Sequence, residues 1–387
     1  MSEPYDRLLQ ATSDLDTPFA VIDEPSLWAN ADDLVRRAGG VPIRVASKSV
    51  RVRSIVERAL QRNGFAGVMS YSLAESVWLA DNGVDDILLA YPTTSRSALL
   101  DLVADDRRRA AITVMVDSTE SLDLIDALAG PGHPPVRVCI DVDSSLKLGR
   151  AHLGVRRSPV HSANHAAALA SAIVARDGFD LVGVMFYDAQ IAGLPDSSTA
   201  VRLIKKRSAA ELLERRGRVV AAVGEHARLE IINAGGTGSL EVTGADPAIT
   251  ESTGGSGLFS PTLFDGYDAF TSRPSAYFVL SVVRKPAPDI ATLFAGGYIA
   301  SGPTNKNRQP VAVWPAGLSP IVTEGAGEVQ TPLKGDAALS LRVGDRVIMR
   351  HAKAGEMCER FDDVAVVGAN GRTEMLATYR GEGKNFG

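Results

Sequence analysis

A chain of 387 residues has the length for one large domain and a smaller one. Its formal net charge of -5, with short and scattered Lys/Arg clusters such as 107–109 and 205–207, argues against a nucleic-acid surface and reads those clusters as solvated helix faces. Only two cysteines, Cys139 and Cys358, are present, which argues against a secreted disulfide framework and fits a reducing cytoplasm.

The opening MSEPYDRLLQATSD is acidic and lacks an apolar centre, so it does not read as a signal peptide. No stretch approaches the roughly 20 apolar residues that span a bilayer. From Val41 two textures then alternate. Eight short runs rich in Val, Ile, Leu and Met occur at 43–46, 66–70, 87–91, 112–116, 136–142, 181–187, 229–233 and 248–252. Amphipathic segments separate them. Ser72 to Asn82 and Ser118 to Leu128 open on a serine cap with a glutamate close behind, and the segments 158–176 and 197–216 are longer. Near-continuous apolar strands require burial on both faces, as in a parallel sheet. Eight β-α units predict a TIM (β/α)8 barrel, with an open doubly wound sheet as the alternative. After Asp265 the texture becomes alternating and β-rich, at 277–284, 291–300, 311–314, 346–351 and 364–367, with turn signals at Val343 to Arg346 and Asn370-Gly371. The expected division is therefore a barrel over 17–265 and a C-terminal all-β domain over 266–387, with 1–16 packed on the latter.

Working groups of such a barrel sit at the C-terminal ends of its strands. Lys48 stands just past the first. Its neighbours Arg44 and Arg51, with partial burial, would disfavour its ammonium form, and a neutral amine forms Schiff bases. The plain alternative is a snorkelling surface lysine. After the seventh run comes Asn233-Ala-Gly-Gly-Thr-Gly-Ser239, and after the eighth Ser252-Thr-Gly-Gly-Ser-Gly257. Glycines let backbone amides approach an anion, hydroxyls add donors, and barrels often hold phosphate after strands seven and eight. No Gly-Lys-Ser/Thr ending follows, which argues against a P-loop. A lysine and a phosphate site at one barrel mouth suit a sugar-phosphate aldolase or a pyridoxal phosphate enzyme.

The set Arg44-x-x-x-Lys48, Tyr187-Asp188, Gly235-Gly236-Thr237-Gly238 and Glu251-x-x-x-Gly255, followed by a β domain, resembles the alanine racemase-like, fold-type III pyridoxal phosphate enzymes. The D-threonine aldolase and D-serine dehydratase branch is the most similar, over nearly the whole chain. The resemblance implies that Lys48 holds the cofactor and that Gly235, Gly236, Thr237, Gly238 and Ser239 bind its phosphate, joined by Gly255 and Ser256. It places Arg44 and Tyr187 at the cofactor, Tyr187 having a core aromatic as its alternative role. It puts Glu251 near the pyridine nitrogen, where a carboxylate keeps the ring a strong electron sink, with a structural glutamate as the alternative. His152 stands where relatives have an arginine near the ring, a departure for which Arg150 is the candidate substitute. His133, His161, His165 and His226 read as structural or solvated.

The same branch uses a divalent ion, zinc or manganese, held by a β-domain histidine and an Asp or Cys two residues on. His351 matches the histidine, but Lys353 occupies the second position, leaving Glu356 or Cys358 to reach the metal. A metal-free site with His351 as acid or base is the alternative. The expected function is a lyase acting on a D- or β-hydroxy amino acid, by aldol cleavage or dehydration, with Lys48, Tyr187 and His351 catalytic. A racemase, with Tyr298 as second base, is the alternative, and a non-catalytic carrier of the cofactor is a third reading. The expected partners are a small amino acid and a second copy of the chain, with no nucleic acid and no membrane, in the cytoplasm.

Overall fold

The computed structural model describes residues 3–130, 132–271, 273–303 and 305–387. These fall into two compact units, one made of 33–47, 56–255 and 386–387, the other of 3–32, 48–55 and 256–385.

The first unit is a closed barrel of eight parallel strands. In order around it run Ile43–Ala46, Phe65–Ser70, Ile87–Leu89, Ile112–Val116, Val136–Val142, Phe179–Phe186, Ile231–Ala234 and Glu251–Gly254. The eighth closes on the first with Ser252 opposite Ile43 and Gly254 opposite Val45. Every residue of Ile112–Val116 is buried, the two-faced burial that its apolar run demands. Met69, Leu88, Ala90, Met115, Cys139, Val182, Met185 and Ile231 pack as one buried cluster. Serines start the helices between strands: the Ser72 hydroxyl accepts from the Glu75 amide at 3.3 Å, and the Glu75 carboxylate accepts from the Tyr71 amide at 2.7 Å.

Two expectations shift. The fourth long amphipathic segment runs Thr199–Gly224, past Gly217, which looks onto open space. One such helix glycine costs only about 1 kcal/mol against Ala, too little to end a helix of strong formers. The eighth strand begins at Glu251, later than expected. The preceding residues are held in a turn in which Asp246 accepts from the Ala248 amide through its side chain and from the Ile249 amide through its carbonyl.

The second unit is built on a nine-stranded sheet. The strand Phe19–Asp23, which a division at residue 17 would give to the barrel, lies in this sheet, antiparallel to Ala276–Ala287 and parallel to Asp363–Val367. A hairpin around Asn370-Gly371, with Gly371 at φ 76°, adds Thr373–Ala377. The core of this sheet gathers Phe19, Val21, Tyr277, Val279, Ile348 and Ala365. Leu8 of the helix Glu3–Ala11 packs into it; residues 1 and 2 of the segment 1–16 lie outside the described residues. Among the described residues no helix is long and apolar enough to cross a membrane.

Candidate active site

The C-terminal rim of the barrel collects polar side chains from successive strands. Tyr91 follows the third strand, Asp117 the fourth, and Tyr187 and Asp188 the sixth, while Asp141 is next to last in the fifth. Tyr91 and Tyr187 pack on the apolar cluster of the barrel. The Arg157 guanidinium lies over both rings, 5.7 Å from the centre of Tyr91 and 5.2 Å from that of Tyr187, a doubled cation–π contact. The rim is thus layered, with apolar interior, two tyrosines, then one cation.

Charge in this layer is finely set. Burial, then the neighbouring Asp117 and Asp143, push the Asp141 carboxyl up to about 7, against the pull of Arg157. Burial also raises the Tyr187 phenol, again opposed by Arg157. Asp188 is fully buried and rises to about 6 through desolvation, opposed by Arg216 and by its bond to Ser239.

That last bond ties the rim to the glycine loop. Ser239 Oγ donates to Asp188 Oδ1 at 3.1 Å and accepts from the Gly236 amide at 3.2 Å. Arg37, itself paired with Glu241, donates to the Thr237 carbonyl at 2.7 Å. Gly235 holds φ 84°, and a Cβ on it would lie 2.8 Å from the Thr243 side chain. A Cβ on Gly236 would lie 3.0 Å from Ala192 Cβ and 3.9 Å from the Tyr187 ring. The loop is therefore a bare backbone with two hydroxyls, clamped from behind and packed beside Tyr187. These residues fit a phosphate group. Gly255, past the eighth strand, has no room for a Cβ, which would meet the Ala46 carbonyl oxygen at 2.6 Å. Ser256 opens the short helix Ser256–Phe259.

Lys48 sits in the short turn Ser47–Ser49, two residues past the end of the first strand, and is exposed. Its carbonyl accepts from Arg51 Nε at 3.2 Å, and Gly355 packs so closely on that carbonyl that no side chain would fit there. Both arginines expected beside this lysine have acidic partners. Arg51 pairs with Glu359. Arg44 pairs with Glu251 at 2.7 and 2.6 Å and with Asp86 at 2.8 and 3.1 Å.

The same geometry corrects the expected places of Arg44 and Glu251 at the cofactor. Glu251 opens the eighth strand at its N-terminal end, and Asp86 just precedes the third. Arg44 bridges them, buried, with Asn233 adding a 2.8 Å bond to Glu251. The resemblance put Glu251 near the cofactor ring; the structure places it at the start of the eighth strand, in the bridge to Arg44. His152 lies in the hairpin formed by Leu146–Leu148 and Ala151–Leu153, its Nε2 3.1 Å from the Val155 carbonyl. Arg150 is in the exposed turn of that hairpin. The cation over the rim tyrosines is instead Arg157, which the sequence hides as one of two adjacent arginines in a loop. Of the histidines read as structural, His133 bridges Asp126 and the Pro134 carbonyl, and His161 meets the Ser145 carbonyl.

His351 follows the strand Arg346–Arg350, fully buried, and neither ring nitrogen makes a hydrogen bond of good geometry. Burial, then the charge of Arg350, lower it to about 3, partly offset by the Ala276 backbone. Cys358 is a buried free thiol pushed up to about 12 by desolvation. Among the described residues no group of three or more His, Cys, Asp or Glu is arranged to hold a metal ion.

A family model described as the alanine racemase N-terminal domain matches residues 22–227. No curated protein matches the chain. Among solved structures, D-threonine aldolase from Filomicrobium marinum is similar at 19% identity and TM-score 0.77, over 94% of this chain and 95% of that one. D-threo-3-hydroxyaspartate dehydratase from Delftia sp. HT23 is similar at 20% identity and TM-score 0.73, over 94% and 97%. Alanine racemase from Corynebacterium glutamicum is similar at 18% identity and TM-score 0.57, over 86% and 90%. At these identities the structural likeness speaks for the fold.

Proposed function

The chain belongs to the alanine racemase N-terminal domain family, a family of fold-type III pyridoxal phosphate-dependent enzymes, and on that premise we propose that it is a lyase acting on a D- or β-hydroxy amino acid. The observation that carries this reading is the convergence on Tyr187. That residue caps the barrel interior, lies under Arg157 and borders the glycine loop at Gly236. A planar, anionic cofactor and a carboxylate-bearing substrate are what such a rim suits.

When bound, pyridoxal phosphate supplies an electron sink that stabilises negative charge at the substrate Cα. The remaining work falls to the chain. Lys48 would hold the cofactor aldehyde, and its amine would carry a proton to or from the substrate Cα. Backbone amides and hydroxyls of Gly235 to Ser239 hold the phosphate, with Ser239 fixed by Asp188. Tyr187 offers its ring face. Arg157, already seated over two rings, receives the substrate carboxylate. His351 acts on the β-hydroxyl as a neutral hydrogen-bonding group.

Cleavage or dehydration is favoured over racemisation by the fuller overlap with the aldolase and the dehydratase, at TM-scores of 0.77 and 0.73, than with the racemase at 0.57. Racemisation needs a base on the second face of Cα, and the Tyr298 ring packs against Phe278 and Phe361 at 4.8 and 5.6 Å. The test is to incubate the loaded protein with D-threonine, D-serine and D-3-hydroxyaspartate, assaying glycine with aldehyde, or 2-oxo acid with ammonia. Inversion of alanine that depends on Tyr298, with no such products, would overturn the lyase reading.

A further inference from the structure

The second unit contains a cavity of about 20 Å³, the size of one water, lined by Tyr298, His351, Lys353, Glu356 and Arg360 among others. The family resemblance makes His351 the place to look for a divalent ion, and another structure of the D-threo-3-hydroxyaspartate dehydratase is of a mutant in a metal-free form. The donor set here does not fit one. His351 is a sound ligand, buried and with neither ring nitrogen in a hydrogen bond of good geometry. Two residues on, however, stands Lys353, which lines the same cavity and whose ammonium donates to Ser301 Oγ at 3.0 Å. Arg360 lines it too, its guanidinium 5.7 Å from the centre of the Tyr298 ring. Glu356, the cavity's carboxylate, accepts the Ser301 amide on both oxygens, at 3.1 and 2.9 Å. Cys358 is not in the lining. One neutral ligand beside two cations and one engaged carboxylate repels a dication instead of chelating it.

We infer that this chain works without a divalent ion at His351, and that the Lys353 ammonium supplies the positive charge there. The cavity then takes a single oxygen ligand, a hydroxyl or a water, between the His351 ring and Lys353. That the oxygen is the substrate's β-hydroxyl rests on the lyase reading; the exclusion of metal does not. Lys353 is thereby a specificity-determining residue: it decides between an ion and a bare hydroxyl.

The experiment is calorimetric titration of the chelator-washed, cofactor-loaded protein with MnCl2 and, separately, ZnCl2. The expected result is no one-to-one binding in the micromolar range. One-to-one binding that His351→Ala abolishes would overturn the inference. Lys353→Asp, which pairs a carboxylate with His351 and removes the ammonium, is expected to acquire one-to-one Mn²⁺ binding and a melting temperature that rises with Mn²⁺. A folded Lys353→Asp protein that binds no metal would overturn the assignment of Lys353 as the excluding charge. Should that variant not fold, Lys353→Gln serves instead, with weak Mn²⁺ binding at His351 expected and its absence counting against Lys353. These readouts need no turnover, so an inactive protein that still refuses metal would sink the lyase reading alone.

Discussion

Glu251→Gln separates a structural carboxylate from a cofactor-tuning one. The substitution keeps shape and removes charge. Arg44 is buried and bonded to both Glu251 oxygens at 2.7 and 2.6 Å, while Glu251 also accepts from Asn233 at 2.8 Å. Removing one partner of a buried pair costs about 3–5 kcal/mol, because the other charge stays behind. Asp86 remains bonded to Arg44, but its side chain is 51% exposed, so it screens only part of the loss. The lower end, about 3 kcal/mol, is the expected cost. At roughly 2–4 °C per kcal/mol this is a fall in melting temperature of about 6–12 °C. The assay is thermal unfolding of the unloaded protein by circular dichroism, paired with the visible spectrum after loading. Asp86→Asn, at the exposed end of the bridge, should cost under about 1 kcal/mol. A Glu251→Gln protein of unchanged stability with a shifted visible spectrum would refute the reassignment and return Glu251 to the cofactor ring.

Gly236→Val should lower affinity for pyridoxal phosphate at least tenfold, measured by fluorescence titration, since even its Cβ would stand 3.0 Å from Ala192 Cβ; unchanged affinity would remove this loop from the phosphate site. Asp141 gives a pH signature. Its folded pKa is raised to about 7 from an ordinary 3.8, so its contribution to stability is complete below pH 4 and is lost as pH rises through 7. Asp141→Asn should therefore gain on the wild type between pH 5 and pH 8, by at most about 3 kcal/mol, read from urea unfolding at each pH. A constant difference would mean that Asp141 is ionised throughout. Both thiols are buried and raised, so Cys139 and Cys358 should react with a thiol reagent only on unfolding, and fast labelling of the native protein would contradict that burial.

The barrel was legible in the sequence because parallel strands buried on both faces leave unbroken apolar runs. The runs at 43–46, 112–116 and 136–142 coincide with strands to the residue. Phe19–Asp23 was not, since a strand that crosses to a sheet formed some 250 residues later carries no local mark of its partner. The glycine loop announced itself by composition, and its clamp by Asp188 and Arg37 did not, because those contacts span 51 and 200 residues of chain. Glu251 was placed by resemblance to a motif, and a motif does not show that its carboxylate is taken by Arg44, 207 residues away in the chain. Arg157 was invisible for a different reason. Two adjacent arginines in a loop look solvated, and only the fold reveals that one of them lies over two tyrosine rings.

The most direct test of the central claim is the visible absorbance of the purified protein, with and without borohydride, beside Lys48→Ala. The account predicts a yellow protein whose band disappears on reduction, with the cofactor then recovered covalently on the Lys48 peptide, and a Lys48→Ala protein that lacks the band. A colourless protein that pyridoxal phosphate cannot reconstitute, or a band that survives Lys48→Ala, would contradict it.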